Sequence, residues 1–129
     1  MVTSCSRKVY SPIDSFYFSV NGLNKTELLI TLDEFAKIND FRKLQEGGGN
    51  MQPEIKKDFL LAVYKNDAGY EFKVNNILNK TCFAVNIYDK NKHGDEAAIL
   101  LSKELNKWLA LNYQDMFKLF QNQHCKNAH

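Results

Sequence analysis

Two segments of the chain are apolar at nearly every position, a pattern typical of strands that are covered on both faces of a sheet. They are residues 81–88 (TCFAVNIY) and residues 59–64 (FLLAVY). Two other segments, residues 16–20 (FYFSV) and 70–74 (YEFKV), follow the alternating pattern of half-buried strands. We therefore predict four strands in these segments, with residues 81–88 in the centre of the sheet.

The dipeptide Asn21-Gly22 is a strong signal for a tight hairpin turn. It is followed by residues 27–31, where Leu28 and Ile30 would share one face of a strand. We predict a fifth strand here, paired in a hairpin with the strand that precedes the turn.

A helix is predicted over residues 32–46. Thr31 and Glu34 have the spacing of a capping box, which marks the start of a helix. Gly47 suits the left-handed position that ends one. The apolar stripe of this helix would consist of Phe35, Ile38, Phe41 and Leu44.

A second helical region is predicted from Asp95 to about residue 121, with a break at residues 111–114. Trp108, the single tryptophan, lies on its apolar stripe, and we interpret it as a core residue. The other stripe residues before the break are Ala97, Ala98, Leu101, Leu105 and Leu109.

These elements predict an α+β fold in the order β-β-α-β-β-β-α(α). Short connections indicate a five-stranded antiparallel sheet, and two segments that are apolar throughout require helices on both of its faces. This order resembles that of longin and other profilin-like domains, which occur in SNARE proteins and in subunits of trafficking complexes. The resemblance covers the predicted topology of residues 15–121, and it carries no motif that would assign functional residues. We expect residues 1–14 to form a polar arm and residues 122–129 a frayed tail.

The charge of the chain argues against several classes of partner. The formal net charge is +2, from 17 basic and 15 acidic residues. Such a balance gives no reason to expect a nucleic acid as the specific partner. No apolar run is long enough to span a membrane.

The three cysteines, Cys5, Cys82 and Cys125, lie far apart in the sequence. Because none forms a CxxC pair, we expect reduced thiols in a cytoplasmic protein. Cys5 follows three small residues, as in a bacterial lipoprotein cleavage site. The alternative is therefore a lipid-anchored or periplasmic protein whose sequence has been trimmed.

No motif in the sequence predicts a cofactor, a metal site or a catalytic group. Residues 89–94 (DKNKHG) resemble the start of a calcium-binding loop, but the twelfth position is Leu100, which offers no oxygen ligand. The glycines at 47–49 follow a predicted helix instead of opening one, so they do not form a phosphate-binding loop.

Two classes of function remain open. The first is a non-catalytic protein-binding module, such as an adaptor, a chaperone-like protein or an immunity-type inhibitor. The second is a small enzyme or ligand-binding protein with a pocket between the sheet and the C-terminal helix.

Protein binding is the preferred prediction, with residues 57–65 as the binding edge. In a longin-like order, the strand at 59–64 lies at the edge of the sheet. Unpaired backbone groups there could pair with another protein or with a second copy of the chain. The candidate binding residues are Phe59, Leu60, Leu61, Val63 and Tyr64.

Overall fold

In a computed structural model, the described part of the chain forms six strands and two long helices. The residues that this structure describes are 11–47, 59–77, 82–92, 94–121 and 125. In chain order the elements are β1 (Asp14–Val20), α1 (Lys25–Ile38), β2 (Arg42–Glu46), β3 (Phe59–Lys65), β4 (Tyr70–Asn76), β5 (Cys82–Asp89), α2 (Asp95–Tyr113), a 3₁₀ turn (Gln114–Met116) and β6 (Phe117–Phe120).

The strands form one antiparallel sheet in the order β2-β3-β4-β5-β1-β6. The predicted α+β class and the antiparallel meander of β3, β4 and β5 are confirmed. The predicted count of five strands is wrong, since the sheet has six. The profilin-like order is also wrong, because a single strand, and not a hairpin, precedes the first helix.

The segment after β1 is a helix, although a return strand was predicted at 27–31. Gly22 adopts a positive φ of 71°, and the chain leaves the sheet instead of reversing beside β1. The side chain of Asn24 then caps α1 by accepting a hydrogen bond of 2.8 Å from the backbone N–H of Thr26. Leu28 and Leu32, one helical turn apart, are fully buried, so the helical spacing outweighs the short alternation in this segment.

Two segments predicted as helical are strands. Helix α1 ends at Ile38, and the positive φ of 61° at Asp40 turns the chain into β2. Helix α2 ends at Tyr113, within the predicted break, and Gln114 has a positive φ of 51°. The chain then pairs with the sheet, as β2 after the first turn and, beyond the 3₁₀ turn, as β6 after the second.

Both helices pack against one face of the sheet, which we call the helix face. Phe35 of α1 contacts Phe72 of β4 and Trp108 of α2, at ring-centroid distances of 5.8 and 6.2 Å. The indole N–H of Trp108 also donates to the carbonyl oxygen of Thr31 at 2.9 Å. The expectation of helices on both faces is therefore wrong. The core lies between the two helices and the inward side chains of β1, β3, β4 and β5.

Cys82 and Cys125 form a disulfide, with their Cα atoms 6.3 Å apart. The expectation of reduced thiols is therefore wrong for this pair. Cys82 lies opposite Ser19 in the sheet, next to the inward-facing Phe18 and Phe83, so its side chain is on the face away from the helices. Cys5 lies outside the described residues, as do most of the predicted arm and tail.

Candidate protein-binding edge

The predicted binding strand is β3, and it does not lie at an edge. Its residue Ala62 is paired with Glu46 of β2 on one side and with Val74 of β4 on the other. The proposal of an open edge at residues 57–65 is therefore wrong. The error follows from the helix predicted over 32–46, because that prediction left no strand to pair with the outer side of β3.

The individual candidate residues are mostly core residues. Leu61, Val63 and Tyr64 are buried and Leu60 is half-buried. The side chain of Phe59 lies outside the described part of the structure. Because residues 62–65 are paired with β2 as well as with β4, this part of β3 offers no strand edge to a partner.

Tyr64 has a structural role in attaching α1 to the sheet. Its hydroxyl donates to the carboxylate of Asp33 at 2.6 Å, and the ammonium group of Lys43 lies 3.1 Å from the other oxygen of that carboxylate. Burial, together with the bond to Asp33, raises the pKa of Tyr64 far above its usual value. The phenol therefore keeps its proton, which suits a hydrogen-bond donor and not a nucleophile or base.

In the sheet of the described residues, the two outer strands are β2 and β6. The outer edge of β2 is protected against pairing with another strand. Its pairing with β3 is interrupted by a register shift between Lys43 and Gln45. Arg42 pairs with Asp67 at 2.7 Å, and Lys43 pairs with Glu46 at 2.6 Å. A bulge and dense charge are the usual devices that prevent an edge strand from pairing with another chain.

The β6 edge exposes backbone groups at alternate positions. Asn21 lies directly opposite Met116 in the register of β1 and β6, and its N–H donates to the Met116 carbonyl oxygen at 2.9 Å. Bonded and non-bonded opposite residues alternate along an antiparallel pair. Lys118 therefore bonds to β1, whereas Leu119 directs its N–H and C=O groups, and Phe117 its C=O group, away from β1. Among the described residues, these outward groups have no strand partner. The N–H of Phe117 donates to the carbonyl oxygen of Gln114.

The side chains of β6 leave the edge apolar and lightly charged. Leu119 is 47% exposed, and Met116, just before the strand, is 52% exposed. Lys118 is the only charged residue of the strand, and its ammonium group lies 5.7 Å from the ring centre of Phe120. The described register of β6 with β1 has no shift. The β6 edge thus has one charged side chain and no described bulge, whereas β2 has several charges and a register shift.

A cleft of about 690 Å³ lies beside β6, at the end of the sheet where β1 stops and α1 starts. Val20 and Met116 contribute apolar surface, Lys25 and Lys118 contribute positive charge, and Asp115 contributes negative charge. A ligand-binding pocket had been predicted between the sheet and the C-terminal helix. Among the cavities formed by described residues, this one is larger than the groove of about 320 Å³ beside α2.

The described residues show no arrangement suited to metal binding. Within them, no three His, Cys, Asp or Glu side chains come together as a metal site. The buried carboxylate of Glu71 lies 3.2 Å from the ammonium group of Lys90, which serves as its counter-ion. No helix among the described residues is both long and apolar enough to cross a membrane.

Sequence reasoning missed the β6 edge because residues 117–120 (FKLF) continue an apolar spacing from α2. One signal was available, since the predicted break at 111–114 separates this segment from the helix. Four residues are too few to distinguish a helical period from a strand period. Only pairing with β1 identifies the segment as a strand.

Comparison of the chain with models of known protein families finds no match. Comparison with curated proteins also finds none.

Proposed function

We propose that the protein is a non-catalytic protein-binding module that uses the outer edge of β6, as an adaptor, chaperone-like protein or inhibitor would. The observation that carries this proposal is the contrast between the two edges of the sheet. The β2 edge is charged and bulged, whereas the β6 edge combines outward backbone groups with the exposed side chain of Leu119.

Strand addition gives a physical mechanism for such binding. A partner strand would bond to the outward N–H and C=O groups of Leu119 and to the C=O group of Phe117, and alternate side chains would supply specificity. The single positive charge of Lys118 favours a partner strand that is apolar or acidic.

The proposal is tested by placing a photo-crosslinking amino acid at Leu119 in cells that produce the protein. Leu44 on β2 is the matched control, because its exposed fraction is 51% against 47% for Leu119. We expect covalent products with a defined protein from position 119 and not from position 44. Equal products from both positions, or none from position 119, would overturn the proposal.

A backbone variant gives a second test. Leu119→Pro removes an N–H group that points away from β1, so the hydrogen bonds to β1 remain. We expect circular dichroism to be unchanged and partner affinity to fall about tenfold or more. Unchanged affinity in a folded Leu119→Pro protein would contradict binding through this edge.

The cleft beside β6 supports a second candidate, a protein that binds a small amphipathic anion. Its apolar walls and the two lysines, Lys25 and Lys118, which outnumber the one carboxylate of Asp115, suit a ligand with an apolar body and an acidic group. Met116→Trp would reduce the space in the cleft. A ligand from an anion library that raises the melting temperature of the wild type but not of Met116→Trp would support this candidate.

The disulfide supports a proposal about the compartment. Stable disulfides are typical of oxidising compartments, so we propose that the protein works outside the reducing cytoplasm. Protein isolated without reductant should then react with a thiol reagent only at Cys5. If Cys82 and Cys125 also react, the protein works in a reducing compartment and the proposal is wrong.

A further inference from the structure

A second copy of β6 can pair with the outer edge of β6, because three of its four residues are apolar. We infer that two copies of the chain join β6 to β6 about a twofold axis, forming one continuous antiparallel sheet. This inference rests on the proposed function, since it names a second copy as the partner at the same edge.

The positions of the backbone groups select the register. Leu119 directs its N–H and C=O groups outward, so two copies of Leu119 placed opposite each other exchange two hydrogen bonds. The outward C=O group of Phe117 then faces Gln121 of the second copy and can accept from its N–H, while the N–H of Phe117 stays bonded to Gln114.

The side chains favour the same register. With Leu119 opposite itself, Lys118 faces Phe120 of the second copy, and an ammonium group over an aromatic ring is attractive. The same pair of side chains already makes this contact within one chain, at 5.7 Å. A register centred on Lys118 would place two like charges opposite each other, which is destabilising.

The surroundings of β6 leave room for the second copy. Helix α2 lies mainly over β1 and β5, two inner strands of the sheet. The disulfide places Cys125 beside Cys82 on β5, two strands in from the outer edge. The described parts of the chain therefore do not cross the outer side of β6.

The contact is isologous, so each residue near the axis meets its own copy. A cysteine at position 119 would lie about 5.5 Å, measured between Cα atoms, from the same cysteine in the second copy. The added cysteine is introduced into the Cys5→Ser variant. Because Cys82 and Cys125 form the native disulfide, the added cysteine is then the one free thiol. Leu44→Cys in this background is the matched control on β2.

Light scattering should give a particle of twice the 14.9 kDa chain mass for the wild type. A short bismaleimide should convert Leu119→Cys, but not Leu44→Cys, into a covalent dimer. Leu119→Pro and Leu119→Lys should both shift the wild-type dimer to the monomer mass; Leu119→Lys covers the case in which the proline variant fails to fold.

A wild-type particle of monomer mass at the highest soluble concentration would overturn the inference. So would a dimer that crosslinks through position 44. If the wild type is a monomer while position 119 captures a different protein, the inference fails and the proposed binding edge stands. If position 119 captures nothing, both fail.

Discussion

At the scale of single residues, Tyr64 shows how a polar group is accommodated in the core. Its ring stacks on Phe72 at 4.7 Å, and its hydroxyl reaches the carboxylate of Asp33 on α1. The side chain is 1% exposed, so an unpaired hydroxyl there would be costly. The sequence shows an aromatic residue at the end of an apolar strand, and only the packing of α1 explains why it is tyrosine and not phenylalanine.

Because of Tyr64, the free energy of unfolding should depend on pH in the alkaline range. Its pKa is raised in the folded protein, mainly by burial, so its contribution is complete below the ordinary tyrosine pKa of 10.0 and decreases as pH rises above it. We expect Tyr64→Phe to lower the free energy of unfolding by about 1 kcal/mol at neutral pH. Above pH 10, the free energy of unfolding of Tyr64→Phe should decrease less steeply with pH than that of the wild type. Urea unfolding at a series of pH values measures both effects, and parallel alkaline declines would contradict the assignment.

At the scale of elements, α1 and α2 are joined along a seam that no single segment predicts. Thr31 of α1 contacts two residues of α2, since its carbonyl oxygen accepts from Trp108 and its hydroxyl lies 3.0 Å from the Tyr113 hydroxyl. The predicted capping role of Thr31 is replaced by a position inside the helix. The contact with α1 explains why Trp108 is half-buried and directs its indole N–H toward Thr31. The sequence indicates only that Trp108 lies on an apolar stripe.

Trp108 should contribute to stability through both its ring and its N–H group. We expect Trp108→Ala to lower the free energy of unfolding by about 3 kcal/mol, the lower part of the range for a large aromatic, because the side chain is half-buried. Trp108→Phe keeps an aromatic ring and loses the bond to Thr31, so it should cost about 1 kcal/mol. Chemical denaturation measures both, and equal losses in the two variants would show that packing is not the main contribution.

The start of α1 can be tested by its cap. Asn24→Ala removes the acceptor for the N–H of Thr26 and should lower the free energy of unfolding by about 1 kcal/mol. Asn24→Ser, which can also cap, should retain most of the stability. Similar losses in both variants would mean that the cap contributes little to the start of this helix.

At the scale of the whole molecule, the disulfide connects the end of the chain to the first residue of β5. The two cysteines are 43 positions apart, and the closed loop contains β5, α2 and β6. The loop that the disulfide closes therefore includes the proposed binding edge, and we expect the stability of that edge to depend on the oxidation state of the protein.

Loss of the disulfide should destabilise the fold. For a loop of this length the expected loss in the free energy of unfolding is about 3–4 kcal/mol. The double variant Cys82→Ser, Cys125→Ser and the reduced wild type should show the same loss in urea unfolding, and Cys5→Ser should show none. Hydrogen exchange should increase first at β6. Unchanged hydrogen exchange at β6 in the double variant would show that the disulfide does not stabilise the β6 edge.

The strands that are most apolar were predictable because their character is local. Residues 59–64 and 70–74 fall within β3 and β4, and the predicted central strand matches β5 except for Thr81, which lies outside the described residues. Asp95 is the first residue of α2, as predicted. In each case the period or the apolar run is long enough to be read without knowing the neighbours.

The short elements were not predictable in this way. Residues 42–46 (RKLQE) are exposed in β2 and carry no strand pattern, and residues 117–120 are too short to show a period. A strand of this kind forms because a neighbouring strand supplies hydrogen bonds, which is a property of the assembled sheet. The wrong binding edge at β3 was a direct result, since an edge is defined by which strand has no neighbour.

The sequence by itself determined the α+β class, the antiparallel meander and its apolar strands, because hydrophobic periodicity acts over a few neighbouring positions. It did not determine the buried face of the first helix, since Ile38 and Leu44 of the predicted stripe are exposed. The tertiary structure alone decided three features. They are the partners of β2 and β6, the placement of both helices on one face, and the pairing of Cys82 with Cys125. Each depends on residues far apart in the chain coming together, and for that reason the β6 edge became visible only in the folded protein.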